Sequence, residues 1–259
     1  MIALLTVAYH TISWRGDLDR ALPDLKSVGF STFEAVNPSY WLADASRLDH
    51  LVKTLAIRPV GAYIGGAYIY DEDHDMEMTL VCSTCEFLLR HDAKHIVVGG
   101  GHIPLAGARD EHYGALGVQL NRLGEAARGH GVRLCYHPHA GTLVETPAEI
   151  RRLMGLTRAD VVSMSLDVAH IVQVGGDPIE VLREHYRRIA YIHLKDIDDH
   201  GVFVELGQGR VDLVHVVKYL KSRGFDGPVV IELDQDTEPK ESARRNLAYA
   251  RNHLGLEPA

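Results

Sequence analysis

The sequence predicts a single (β/α)₈ barrel that spans residues 1–259 as one domain. Three observations support this fold class. Short apolar segments with strand-like composition alternate eight times with segments of helical periodicity. The length of 259 residues suits one barrel, and 46% of the residues are hydrophobic, which is enough for a large core. Several apolar segments also end in His, Asp or Glu, as barrel strands do at the face where this fold places its polar sites.

Each predicted strand is a run of four to seven mostly apolar residues, rich in Val and Ile. Such near-continuous hydrophobicity is typical of parallel strands that are buried on both faces. The strands are predicted to begin near Ile2, Thr32, Arg58, His95, Val132, Val161, Ala190 and Val229.

The helices between these strands are predicted from apolar stripes and from residues that end helices. A glycine directly follows, or lies one residue beyond, three of the predicted ends and would serve as the C-terminal cap. Thr146 followed by Pro147 is typical of an N-cap and first helical position. The other predicted helices run from Asp17 to Val28, from Tyr113 to His130, from Asp212 to Arg223 and from Lys240 to His253.

A doubly wound open sheet is the alternative fold for alternating strands and helices. That fold usually has a glycine-rich phosphate loop after the first strand. Here the first strand is followed by Tyr9-His10-Thr11-Ile12-Ser13-Trp14, which contains no glycine, so the barrel is favoured.

Composition and charge indicate a cytoplasmic protein that binds neither nucleic acid nor a membrane. The net charge of −8 and the pI near 6.0 disfavour partners that need a basic face. No apolar run approaches the length of a bilayer span, and the segment from Ile2 to Ala8 lacks a basic leader, so it is interpreted as a strand. Three cysteines give no even disulfide framework, which fits a reducing compartment.

Four metal-ligand side chains lie at the ends of four successive predicted strands. They are His137, Asp167, His193 and Glu232, at spacings of 30, 26 and 39 residues, close to one strand-helix unit each. In a parallel barrel these side chains would converge on one mouth. Nitrogen and oxygen donors together favour one divalent ion, Mn²⁺ or Co²⁺ first, with Zn²⁺ or Mg²⁺ as further possibilities.

Four ordered segments resemble the xylose isomerase-like barrel superfamily, and the resemblance covers nearly the whole chain. This superfamily includes sugar isomerases and epimerases, inosose dehydratase, dehydroshikimate dehydratase and abasic-site endonucleases. The resemblance implies a divalent ion held by His137, Asp167, His193 and Glu232. The segments are Leu166-Asp167-Val168-Ala169-His170, His193-Leu194-Lys195-Asp196, Gly207-Gln208-Gly209-Arg210-Val211-Asp212 and Gly227-Pro228-Val229-Val230-Ile231-Glu232.

The fifth strand departs from the pattern of the superfamily's epimerases, which usually carry Glu where this chain has His137. The segment Tyr136-His137-Pro138-His139 resembles the histidine-rich fifth strand of inosose dehydratases instead. An imidazole reduces the negative charge around the ion and removes one carboxylate of a symmetrical acid-base pair. Elimination of water is therefore slightly favoured over epimerisation. His139 and Glu145 remain alternatives to His137 as the ligand from this region.

The donor set suits the enolisation of a small keto-sugar or keto-polyol. Removing a proton beside a ketone is difficult, and a divalent ion lowers that barrier by stabilising the negative charge, often by several kcal/mol. A positioned base contributes a further ~10²–10⁴-fold. Glu232 is expected to act as base as well as ligand, with His139 or Lys195 as proton donor.

Further residues near the predicted mouth are expected to orient ligands or to contact the substrate. His170 and Asp196 would hold the ligands in place. The expected substrate contacts are Arg210, Glu34, His10 and Trp14, with Trp41 as a second candidate for stacking on a sugar. For Glu34 the alternative is that it only orients a neighbour, and for both tryptophans it is ordinary packing.

Three functional classes follow from the sequence. The leading hypothesis is a metal-dependent enzyme that dehydrates, or alternatively isomerises or epimerises, a small keto-sugar. An abasic-site endonuclease on the same barrel is disfavoured by the charge of −8. A non-catalytic sugar- or metal-binding relative is the third class. A homo-oligomer is compatible with all three.

Overall fold

Eight parallel strands close into a barrel in the computed structural model, which describes residues 5–234 and 236–258. In chain order the barrel strands are β1 (Val7–His10), β2 (Thr32–Val36), β3 (Arg58–Gly66), β4 (His95–Gly100), β5 (Arg133–His137), β6 (Val162–Asp167), β7 (Ile189–Leu194) and β10 (Val229–Ile231). A separate antiparallel hairpin, β8 (Asp196–Ile197) and β9 (Phe203–Val204), follows β7.

The predicted (β/α)₈ fold is confirmed. Each barrel strand pairs in parallel with its neighbours in the chain, and β1 closes the barrel against β10, with Tyr9 opposite Ile231. The predicted start of the first strand at Ile2 lies outside the described residues, within which β1 begins at Val7. The sequence did not predict the β8–β9 hairpin, whose strands are only two residues long each.

The helices form the outer layer of the barrel. The predicted cap at Gly29 is confirmed, since this residue ends the first helix with a φ of 115°. At the start of the same helix the Asp17 side chain accepts a hydrogen bond from the amide of Arg20, a cap that the sequence analysis did not predict. Thr146 and Glu149 form a reciprocal capping box. The helices are α1 (Leu18–Val28), α2 (Pro38–Trp41), α3 (Ala45–Leu55), α4 (His74–Arg90), α5 (Asp110–Gly129), α6 (Pro147–Leu156), α7 (Val168–Gln173), α8 (Pro178–His185), α9 (Leu213–Ser222) and α10 (Pro239–Tyr249).

The interior of the barrel has an apolar lower layer and a polar upper layer. Side chains alternate along a strand, so residues two apart share the inner face. The lower layer is a buried cluster that includes Ala8, Val97, Cys135, Tyr191 and Val230. Two residues further along the strands lies the upper layer, at the carboxyl ends; we define it as His10, His137, Asp167, His193 and Glu232, all of which are buried.

None of the helices in the described residues combines the length and the apolar character that crossing a bilayer requires.

Candidate metal centre at the mouth of the barrel

The four predicted metal ligands meet in the upper layer of the barrel. His137 ends β5, Asp167 ends β6, His193 lies on β7, and Glu232 directly follows β10. One potential ligand atom from each of these residues lies within 4.8 Å of every other. The strand register helps to bring these side chains together. Asp167 on β6 is paired with His193 on β7, and His193 is paired on its other side with Val230 on β10. The glutamate two residues after Val230 reaches the same level.

Several atoms in this cluster are buried without a hydrogen-bond partner. They include both ring nitrogens of His137, Oδ2 of Asp167, Nδ1 of His193 and Oε2 of Glu232. Nδ1 of His193 is 2.9 Å from Oε2 of Glu232, but the two are not aligned as a hydrogen bond. Buried polar groups are almost always satisfied in folded proteins. Lone pairs that face one another in this way fit a shared cation, so the residues present fit a divalent ion.

Glu34 fixes the orientation of the His193 ring. Its Oε2 is 2.7 Å from Nε2 of His193, and both side chains are fully buried. A carboxylate only accepts hydrogen bonds, so Nε2 carries a hydrogen and Nδ1 is the nitrogen that faces the cluster. A ring that binds a cation through Nδ1 would be neutral. Glu34 therefore orients a ligand, which was the alternative to its predicted role as a substrate contact.

Lys195 provides the counter-charge for the two carboxylates that follow β10, Glu232 and Asp234. Its Nζ donates to Oε1 of Glu232 at 2.8 Å and to Oδ1 of Asp234 at 2.7 Å, and lies 3.8 Å from Oδ2 of Asp167. Burial lowers the pKa of Lys195, but these three carboxylates outweigh it and raise the pKa above its ordinary value. Although burial raises the pKa of Glu232, the charge of the Lys195 ammonium outweighs it and holds the pKa well below the usual range.

A cavity of about 740 Å³ opens beside the cluster. Four of the predicted residues line the cavity, namely His10, His137, His139 and Glu232. Its wall also includes residues that the sequence analysis missed, namely Arg15, Asn37, Tyr63, Asp234 and Asp236. Burial and the neighbouring Glu232 raise the pKa of Asp234 to about 7.

The family of the chain follows from this fold and a matching family model. A model described as xylose isomerase-like TIM barrel matches residues 22–253. The chain belongs to the xylose isomerase-like TIM barrel family. The resemblance that the four ordered segments indicated is confirmed.

The chain is similar in sequence to a dehydratase and in fold to an epimerase. An inosose dehydratase from Lacticaseibacillus casei is 27% identical over 248 residues, which cover 84% of this chain and 82% of that protein. The crystal structure of the IolI protein with a bound zinc atom superposes with a TM-score of 0.82 at 19% identity, over 97% and 98% of the two chains. The structure of L-ribulose 3-epimerase gives a TM-score of 0.78 at 17% identity, over 97% and 95%.

His170 and His139 lie beside the cluster of four candidate ligands, with their ring centroids 3.8 Å apart. Nε2 of His170 is 3.8 Å from Oδ2 of Asp167, so His170 lies where a ligand-orienting residue was expected. Burial and, to a smaller extent, the charge of Lys195 lower the pKa of His170 to about 2, which keeps the ring neutral. Glu145, an alternative ligand from this region, accepts a hydrogen bond from the amide of Gly141 instead.

Asp196 has different partners from those expected. Its carboxylate accepts hydrogen bonds from four backbone amides, those of Ile197, Gly207, Gly209 and Val211. The expectation that Asp196 orients a metal ligand is therefore corrected. The carboxylate organises the Gly-Gln-Gly loop, and an aspartate that follows a strand supplies the acceptors that such a turn needs.

Three predicted substrate contacts lie away from the cavity. Arg210 is half-exposed, 4.0 Å from Asp199, and its guanidinium donates to the carbonyl of Val172. Trp14 is buried against Tyr9, and its Nε1 donates to Asp24. Trp41 is buried in tilted contact with Phe87. Because both indole rings are enclosed by the core, they pack structurally and are not available for stacking on a sugar.

Two features of the structure explain why the missed residues line the cavity, and only one of these features can be recognised in the sequence. Asp234 lies two residues after Glu232 and, like Lys195 after His193, continues the inner face of its strand. That alternation was available from the sequence. Tyr63 reaches the cavity because Gly99 on the next strand has no side chain, and a Cβ there would overlap the Tyr63 ring. This complementarity depends on strand register, which single residues do not reveal.

Proposed function

We propose that the protein is a divalent-metal-dependent enzyme that removes the proton beside the ketone of a small keto-sugar or keto-polyol and then eliminates water. The observation that carries this proposal is the buried set of unpartnered donor atoms from His137, Asp167, His193 and Glu232, which opens onto a cavity large enough for one sugar. A divalent ion held by these four residues would polarise the ketone and stabilise negative charge on its oxygen.

Glu232 is suited to take the proton from carbon. One of its oxygens is held by Lys195, while Oε2 has no partner and the side chain lines the cavity. The same carboxylate would serve as ligand and base. The Lys195 ammonium keeps Glu232 ionised, because protonation of Glu232 would leave the buried ammonium with one fewer counter-charge.

His139 is suited to supply the proton for the leaving hydroxyl. Its Nδ1 is 2.7 Å from the carbonyl oxygen of Ala140, so Nδ1 carries a hydrogen and donates it there. As general acid the ring would carry a second hydrogen on Nε2 and pass it to the leaving hydroxyl, which departs as water and leaves the ring neutral. The ring lines the cavity and is half-buried. Lys195, the other predicted donor, is fully buried and engaged with two carboxylates, so His139 is preferred. Removal of one proton and one protonated hydroxyl gives the net loss of water.

Elimination is placed ahead of epimerisation because of the residue at the end of β5. Epimerisation needs an acid-base group on each side of one carbon, and His137 replaces the carboxylate that would complete that pair. The inosose dehydratase relative from Lacticaseibacillus casei supports the same choice.

Isomerisation or epimerisation remains the second candidate, and Asp234 is the observation that favours it. This carboxyl group lines the cavity beside Glu232 and could act as a second base.

Mass spectrometry of a panel of keto-sugars and inososes, incubated with Mn²⁺-loaded protein in D₂O, tests the proposal. A product lighter by one water is expected. Deuterium gain without loss of water would establish the second candidate instead. Absence of both changes across the panel, with metal bound, would contradict enolisation.

Two variants test the assigned residues in the same assay. His137→Ala and Glu232→Gln are each expected to abolish metal-dependent turnover. His215→Ala, which removes a half-exposed histidine on α9, is the matched control and is expected to retain full activity. Full activity in His137→Ala or Glu232→Gln would remove that residue from the mechanism.

A further inference from the structure

Arg15 lies at the rim of the cavity on a segment whose backbone is firmly anchored. The segment is the 3₁₀ turn Thr11–Trp14 that follows β1. The amide of Arg15 donates to the carbonyl of Ile12 at 2.7 Å, and the Ser13 hydroxyl donates to the carbonyl of Leu233 at 2.5 Å. Trp14 is buried in the core directly before Arg15. The tryptophan thus holds in place the residue whose side chain faces the cavity.

Two residues that line this rim have left-handed backbone conformations without being glycine. Arg15 has a φ of 56° and Asn37, after β2, has a φ of 50°. Such conformations cost on the order of 1–3 kcal/mol each and persist only where surrounding contacts impose them, commonly at ligand sites. Here the contacts include the amide of Asn37, which donates to the carbonyl of Tyr63. The backbone of the rim is therefore held in place by contacts within the protein, and Arg15 is among the residues that line the cavity.

The charge of Arg15 has no counter-charge within residues 5–234 and 236–258. No ion pair or side-chain hydrogen bond joins it to a carboxylate of this part of the chain, although Glu232, Asp234 and Asp236 line the same cavity. Two of those carboxylates, Glu232 and Asp234, are instead bound to Lys195. Among the described residues, therefore, no carboxylate occupies the guanidinium of Arg15, and the group is suited to bind a ligand.

We propose that Arg15 binds a carboxylate at the end of the substrate remote from the four-residue cluster, so that the substrate is a keto-sugar acid and not a neutral keto-polyol. This inference rests on the proposed function for the identity of the reacting ketone. A guanidinium matches a carboxylate with two parallel hydrogen bonds. Arg15 is the one Arg or Lys side chain among the described residues that line the cavity, which suits a monoanion better than a doubly charged phosphate.

Binding of gluconate and sorbitol to the full chain, measured by isothermal titration calorimetry, tests the inference. These six-carbon polyols differ at one end, where gluconate has a carboxylate and sorbitol a hydroxymethyl group. Wild-type protein is expected to bind gluconate at least about 10-fold more tightly than sorbitol, because charge-assisted hydrogen bonds are the stronger kind. The preference is expected to shrink as salt is raised, since the rim is exposed to solvent.

Arg15→Asn is the informative variant, because asparagine tolerates the left-handed conformation and removes only the cation. It is expected to abolish most of the preference for gluconate while leaving sorbitol binding unchanged. Arg15→Lys should retain part of the preference. Arg20→Asn removes a surface arginine on α1 outside the cavity and is expected to behave as wild type.

Equal affinities for the two ligands in the wild type, binding of neither, or an unchanged preference in Arg15→Asn would each overturn the inference. The calorimetric result does not depend on turnover. If no substrate exchanges deuterium or loses water while Arg15→Asn loses the gluconate preference, the proposed function fails and the carboxylate site stands. If turnover is found on neutral polyols with no preference for acids, the reverse holds.

Discussion

The upper and lower layers of the barrel interior are built on the same strands, two residues apart, and differ completely in chemistry. The lower layer has Val230 on β10, and the upper layer has Glu232 directly after that strand; on β7 the corresponding pair is Tyr191 and His193. Both layers are buried. The lower layer contains no charge, whereas the upper layer combines carboxylates and imidazoles at equal depth.

This difference shows how the barrel separates stability from chemistry. Apolar side chains in the lower layer gain free energy from burial alone. Ionisable side chains in the upper layer lose hydration and are tolerated only where a counter-charge or a hydrogen bond replaces it. Lys195 and Glu34 supply part of that replacement. The unpartnered atoms of the cluster lack such a replacement, and a ligand would bind there.

Among the substitutions considered for the two layers, removal of Lys195 is expected to destabilise the protein most. In Lys195→Met, Glu232 and Asp234 would remain buried without their ammonium partner. Loss of one partner of a buried ion pair costs about 3–5 kcal/mol, so the free energy of unfolding in urea is expected to fall by that amount. Lys240→Met breaks the half-exposed pair with Asp24 and should cost less than about 1 kcal/mol. Similar losses in both variants would contradict the assigned role of Lys195.

Asp167→Asn is expected to weaken divalent-metal binding by about 100-fold or more, since even residues that only support ligands cost about 10–100-fold. Asn preserves the N-cap of α7, for which Oδ1 of Asp167 accepts the amides of Ala169 and His170. Asp177→Asn changes the equivalent N-cap of α8 and serves as control. Equilibrium dialysis followed by elemental analysis measures the affinity. Equal affinities in the two variants would exclude Asp167 as a ligand.

The sequence predicted the barrel strands and the four-residue cluster well, because both depend on strand periodicity. Apolar runs locate the strands, and a donor at the end of each run must reach the mouth if the strands are parallel. His137, Asp167, His193 and Glu232 required no knowledge of loops, and the structure brings them together as expected.

The sequence predicted the surroundings of the cluster poorly, because those depend on loop conformation. Trp14 and Arg15 are adjacent, yet the turn after β1 buries the tryptophan and directs the arginine to the cavity. Arg210 follows a glycine-rich turn and points away, since Asp196 folds that turn back on itself. Which of two neighbouring side chains faces a site is decided by backbone angles that composition does not specify.

The lower layer is expected to respond to substitution in stability alone. Val97 lies on β4, a strand that contributes none of the four clustered side chains. Val97→Ala removes two buried methyl groups and leaves a small cavity, so the free energy of unfolding should fall by about 2 kcal/mol. Metal affinity should stay within about twofold of wild type, because cavities in cores relax locally. Urea unfolding and equilibrium dialysis on the same preparation separate the two effects. A weakened metal site would show that the layers are coupled.

Asp196→Asn tests whether a buried carboxylate at the mouth of the barrel stabilises the conformation of a loop. One oxygen becomes an amide group, so two of the four backbone N–H donors would face another donor. The expected loss is about 1–2 kcal/mol, confined to the loop between β9 and α9. Because Arg210 is in this loop, trypsin should cleave after it faster than in the wild type. Asp212→Asn, which keeps an acceptor at the N-cap of α9, should leave cleavage unchanged. Unchanged cleavage in Asp196→Asn would contradict this role, because it would show that the loop keeps its conformation without the full set of hydrogen bonds that the Asp196 carboxylate accepts.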